Sequence, residues 1–292
     1  MGIPFDNFGY WDPKDDYAST FWKAMKSGSW HKRFATAPLT DDSVRIQTLN
    51  VLRENNIYAV TSGDVPIVRL WHKDEPNRIV NAIRWNFYVA KRDGLTVDSL
   101  QKLFKSGEFK VFGEVTIQYE GYSPSDSAFE PYLKMAEELD IPVGIHVGPG
   151  PPGVIYLGAS KYRASLHSAF TLEEALVRHP KLRVYASHAG WPLIDDMIAT
   201  LYAHPQLYVD VGFIGFALPE KEYYYYLERL VNAGFIKRIM FGSDNIVPGS
   251  IKIAIDRINN APFLTKEQKR DILFYNATRF LRMTPEEIKA MY

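Results

Sequence analysis

Four side chains in this sequence could do chemistry together, and three of them occupy one kind of position. His146 closes the apolar run IPVGIH (141–146), just ahead of the stiff stretch VGPGPPG (147–153). His188 closes LRVYASH (182–188), and Asp244 closes KRIMFGSD (237–244). Each run reads as a buried strand. Alternate strand residues point the same way, so Gly144, Ala186 and Gly242 share faces with these three and leave room for a metal or a substrate. The fourth is Glu114. With Thr116 and Gln118 it forms a polar stripe on a strand expected over 109–119, and buried polar groups need partners, so the stripe should meet the polar centre. Imidazole and carboxylate suit zinc, manganese or a similar divalent ion, which lowers the pKa of its water toward ~7. Asp210, in the strand over 206–212, could orient one of the histidines.

Polar groups at the C-terminal ends of successive strands need a scaffold that gathers those ends. A (β/α)8 barrel of the TIM type does so. Strands are expected at 3–8, 57–63, 77–85, 109–119, 141–146, 182–188, 206–212 and 237–244, with helices between them. Helical spacing of Val44, Leu49 and Leu52 marks a helix over 42–56 with Asp41 or Asp42 as its N-cap, and Thr171 and Glu174 stand in capping-box register. There is no linker and no composition shift, so the expectation is one barrel domain over 1–292. It carries an aromatic-rich insertion at about 9–40 and C-terminal helices at about 265–292. An open doubly wound sheet is the alternative architecture.

Composition narrows the function. The chain has 292 residues, a formal net charge of zero and no cysteine. Zero net charge gives no long-range field for nucleic acid or an anionic membrane, and without cysteine there is no thiolate nucleophile or cysteine metal site. No apolar run approaches the ~20 residues of a membrane helix, and the N-terminus does not read as a signal peptide, so a cytoplasmic protein is expected. GPGPPG matches the G-x-G-x-x-G pattern, but its three prolines remove N–H groups that a pyrophosphate needs, and a pocket-shaping loop is the better reading. The aromatics Phe8, Tyr10, Trp85 and Trp191 are assigned to a pocket for a small-molecule substrate. The tyrosine-rich helix over 220–234 offers an interface for a homodimer.

From about residue 42 onward the sequence resembles the amidohydrolase superfamily, in the branch related to aminocarboxymuconate-semialdehyde decarboxylase. The segments that carry the resemblance are GEVTIQY, LDIPVGIHVGPGPPG, HPKLRVYASHAGWP, YAHPQLYVDVG and KRIMFGSDN. It implies a (β/α)8 barrel with one or two divalent metals, and either hydrolysis or nonoxidative decarboxylation. It implies His146 and Asp244 as metal ligands, Asp244 also as the base for the attacking water, and His188 in proton transfer or on a second metal. Glu114 matches a strand position that some members use as a ligand. The family's His-x-His on the first strand is missing, and Phe8 and Tyr10 stand in its place. Three readings follow. One is a hydrolase or decarboxylase with one divalent metal ion. The second is a rewired or engineered metal-free barrel, with acid–base catalysis or ligand binding in an aromatic pocket and His188–Asp244 or Glu114 as base. The third is a binding protein without chemistry.

Overall fold

Apolar runs of two to seven residues build the sheet: β1 Ala59–Gly63, β2 Ile79–Trp85, β3 Val111–Val115, β4 Val143–His146, β5 Val184–Ser187, β6 Leu207–Asp210 and β7 Ile239–Met240. The computed structural model describes residues 38, 40–151, 153–244 and 247–291. Within them the seven strands lie side by side in chain order, and every pair is parallel. The inner strands of a parallel sheet are covered on both faces, and all four residues of β4 are buried. This is the curled α/β sheet expected of a TIM barrel. The strand expected over 3–8, most of the insertion at about 9–40, and with them Phe8 and Tyr10, lie outside the described residues.

The helices lay apolar stripes on the outside of this sheet. Leu100, Phe104, Leu133, Met197, Leu201, Leu227, Leu230 and Ile258 are buried in this way. In the helix Glu220–Asn232, Tyr223 and Tyr226 are core residues while Tyr225 faces solvent. No helix among the described residues is long and apolar enough to cross a membrane.

Several local expectations are corrected. The helix Asp41–Glu54 is capped by Thr40, whose hydroxyl accepts from Ser43 N, because the chain enters the helix one residue earlier than the aspartates suggested. Thr171 forms no capping box: it lies in a 3-10 turn, Ala169–Leu172, and donates to Ser168 O. The strand expected over 109–119 ends at Val115, and Ile117–Glu120 is a 3-10 turn, so Glu114, Thr116 and Gln118 do not form one stripe. The last strand is two residues long, and Asp244 lies beyond it at φ +45°.

The feature that matters most for the site is the pairing of β3 with β4. Their register shifts between Phe112 and Val115, and Gly113 and Glu114 lie in that irregularity. Gly113 has φ +153°, and a Cβ there would stand 2.7 Å from Gly144 O and 2.9 Å from Gly144 Cα. Only glycine permits this approach. Gly144 is constrained in turn, since a Cβ would fall 2.2 Å from the Tyr185 ring. Gly107, at φ +76°, ends the helix Val97–Lys105 with open space around it. Gly113→Ala should therefore cost about 3 kcal/mol or more, against roughly 1 kcal/mol for Gly107→Ala, whose burden is backbone conformation alone. Urea midpoints at a common slope measure the difference, and equal losses would contradict the packing argument.

Candidate active site

Glu114, His146 and His188 converge at the C-terminal ends of three neighbouring strands. Glu114 is the penultimate residue of β3, and its backbone N–H donates to Ser62 Oγ on β1. His146 is the last residue of β4. His188 follows β5 at φ +62°, with Ala189 after it at φ +50°. Non-glycine residues in that region carry strain, which persists only where the surroundings enforce it. Here they do. The carboxylate of Asp210, at the end of β6, accepts from His188 N at 3.3 Å and from Gly212 N at 2.7 Å. His188 Nδ1–H donates to Gly212 O at 2.9 Å. Asp210 thus grips the backbone of the turn, and the imidazole is oriented by a carbonyl rather than by the carboxylate.

This orientation sends His188 Nε2 inward. It lies 3.0 Å from His146 Nδ1 and 3.3 Å from Glu114 Oε1, and His146 Nδ1 lies 2.7 Å from the same oxygen. Both histidines are buried, and Glu114 keeps a quarter of its side chain exposed. A ring nitrogen has one in-plane site, used either by a proton or by a lone pair. If both nitrogens carry protons toward the carboxylate, two N–H groups face each other. If only His188 does, a lone pair of His146 faces the oxygen at 2.7 Å. With Glu114 ionised, as its lowered pKa requires, no placement of protons makes all three contacts favourable, whereas one cation between the three atoms does. Two imidazoles and one carboxylate are also the donor set of known catalytic zinc sites. Among the described residues this is the cluster whose donors fit a metal ion.

The electrostatics agree with a site made for positive charge. Burial opposes charge on His188, yet its contact with Glu114 and the charges of Asp244, Glu114 and Asp210 raise its pKa to about 10. Burial also works against the Glu114 carboxylate, but the two histidines hold it well below the usual carboxylate range. Asp244 keeps an exposed edge, but low-dielectric surroundings and the charges of Glu114 and Asp210 outweigh the two histidines and hold its carboxyl above that range.

The expected roles are redistributed. Asp244, assigned as a ligand with His146, is not in the donor cluster; its Cβ rests near Gly212, where a glycine Cβ would stand 3.6 Å away. Glu114 and His188, expected in proton transfer or as further ligands, lie with His146 in that cluster. Trp85 does not line the site: its residue parity on β2 turns it into the core against Phe112, Phe129 and Tyr132, with Nε1–H donating to Leu95 O. Trp191 is half-buried and donates to Glu222 Oε1 at 3.1 Å, which ties the turn after His188 to the helix Glu220–Asn232. The sequence reading missed Tyr119, whose hydroxyl lies 3.3 Å from His146 Nε2 and whose ring stacks on Tyr162. Tyr162 in turn bonds Gly150 N and the buried His167, whose pKa burial lowers to about 4. The signal was present in that Tyr119 ends the expected strand, but an aromatic there reads equally well as core.

The sequence profile of the amidohydrolase family matches residues 11–283. No curated protein sequence matches the chain. Among solved structures the chain is similar to an amidohydrolase II (20% identity, TM-score 0.61, covering 91% of this chain and 96% of that one). It is similar to a probable 2-pyrone-4,6-dicarboxylic acid hydrolase from Acinetobacter baumannii (15%, TM-score 0.60, covering 82% and 89%). It is also similar to a dihydroxybenzoic acid decarboxylase from Polaromonas, solved with manganese and the inhibitor 2-nitroresorcinol (16%, TM-score 0.55, covering 98% and 95%). At these identities the likeness shows the fold.

The charges give a pH prediction for chelator-treated protein. His188 rises from 6.5 unfolded to about 10 folded, so its contribution to stability is full below pH 6.5 and is lost as pH climbs through 10. The urea midpoint should fall from pH 7 to pH 10, and Glu114→Gln should flatten that fall. A fall of the same depth in Glu114→Gln would place the linkage elsewhere.

Proposed function

The chain belongs to the amidohydrolase family, and from that premise we propose that it is a divalent-metal-dependent enzyme acting on a small carbonyl- or carboxylate-bearing substrate. The observation that carries this reading is the triangle of Glu114 Oε1, His146 Nδ1 and His188 Nε2, which, with Glu114 ionised, only a cation satisfies on all sides. These three residues would hold the ion, zinc or manganese. Such an ion supplies Lewis-acid polarisation of a substrate oxygen and an activated water.

The chain's own groups do the rest. Gly212 O fixes the His188 ring and Asp210 holds its backbone, so little reorganisation is left for the reaction. Asp244, exposed to solvent and with a carboxyl held above its ordinary pKa, is the acid–base group that takes up or delivers the reaction's proton. Tyr119, kept protonated by burial, accepts from His146 Nε2–H, the tautomer that leaves Nδ1 free for the ion, and closes one wall. Hydrolysis is the first reading. Nonoxidative decarboxylation is the second, favoured by the likeness to a decarboxylase that holds manganese and a resorcinol inhibitor.

A panel of dihydroxybenzoates and small lactone carboxylates tests this, with carbon dioxide release and acid release read separately. The expected result is turnover in one class, abolished by chelator and restored by manganese or zinc. Asp244→Asn should lower kcat by about 100-fold or more, the scale of a lost general acid–base group. Turnover that survives chelation but not His188→Ala would replace this reading with metal-free acid–base chemistry.

A further inference from the structure

At the opposite end of the sheet from His146 and His188 lies an open cleft of about 570 Å³, lined by Lys181, Arg183, Arg279 and Arg282 together with Glu137 and Asp140. Its volume falls in the range of small-ligand sites. Four cations against two carboxylates leave an excess of two positive charges. The carboxylates are also spoken for. Glu137 accepts from His179 at 3.0 Å and from Lys181 N at 2.8 Å. Asp140 is shared by two guanidiniums, accepting from Arg183 Nε at 3.0 Å and from Arg282.

The cations are not all used up in return. Lys181 Nζ forms no ion pair among the described residues, although its charge acts on Glu137. Arg279 spends Nη1 on Lys237 O and Asn276 Oδ1, and its other nitrogens bond nothing among the described residues. Arg183 is held by Phe280 O at 2.6 Å and by Asp140, which fixes its plane at the cleft wall. Fixed guanidiniums and a free ammonium around one small volume are the donors that a multiply charged oxyanion takes.

We infer that this cleft is a binding site for a small phosphate- or carboxylate-bearing anion, separate from the catalytic rim. Arg183 directly precedes β5 and Asp140 leads into β4, the strands that end at His188 and His146. The anion would therefore sit beneath the two strands that carry the catalytic histidines and brace their entry.

Isothermal titration and thermal shift on the full chain test this, with inorganic phosphate and succinate as separate probes. The expected result is saturable one-to-one binding of at least one probe, a melting temperature that rises with it, and weakening by added sodium chloride. The stronger probe identifies the class, phosphate or carboxylate. In K181Q/R279Q the affinity should fall tenfold or more, in K181R/R279K it should return, and in E114Q it should be unchanged. Lys181 and Arg279 are exposed and unpaired with acids, so both double variants keep the fold, which circular dichroism checks. No binding of either probe, binding indifferent to K181Q/R279Q, or binding lost in E114Q would each overturn the assignment.

Discussion

Two imidazole nitrogens and one ionised carboxylate oxygen packed within 3.3 Å of one another cannot all be satisfied by protons, and the local structure works to hold them there. Gly113 lets β3 pass against Gly144 of β4, and the register slip at that point turns Glu114 toward His146. Asp210 draws the turn after β5 inward through two backbone N–H groups, which sets His188 at a positive φ and leaves Gly212 O to fix its tautomer. Leaving a buried charge unpaired costs about 3–5 kcal/mol. A fold that concentrates such groups is therefore stabilised by whatever ion completes them, and the site and the stability of the sheet are coupled.

Much of this was legible because strand periodicity is local. His146 and His188 end apolar runs above small residues, and the parallel sheet carries them to one rim as expected. Glu114 was legible as a polar residue out of place in a buried strand. Its direct contact with His146 was not, because the slip between β3 and β4 depends on a Gly–Gly backbone contact across 31 positions of chain that no spacing announces. Trp85 was misplaced for a related reason. In a strand covered on both faces the alternation of polar and apolar residues disappears, so parity cannot say which face meets the barrel interior and which meets the helices. Asp244 follows a strand of only two residues, and beyond so short an element the direction of a side chain is set by the turn.

The two ends of the sheet differ in charge in a way that zero net charge conceals. The rim gathers Glu114, Asp210 and Asp244 around two histidines and favours a cation. The opposite end gathers Lys181, Arg183, Arg279 and Arg282 over Glu137 and Asp140. β4 and β5 run between these two regions, and their entry is held by the Arg183–Asp140 ion pair. The missing His-x-His of the family then becomes less of an objection to metal chemistry, since Glu114 and His188 bring the donor count to three with His146.

The most direct test of the central claim is elemental analysis of the protein purified without chelator, paired with the Glu114→Gln, His146→Ala and His188→Ala variants. Close to one zinc or manganese ion per chain is expected in the wild type, lost in each of these variants and retained in Asp244→Asn. An ion retained in the three variants and lost in Asp244→Asn, or no ion and no uptake on titration of the wild type, would contradict that claim.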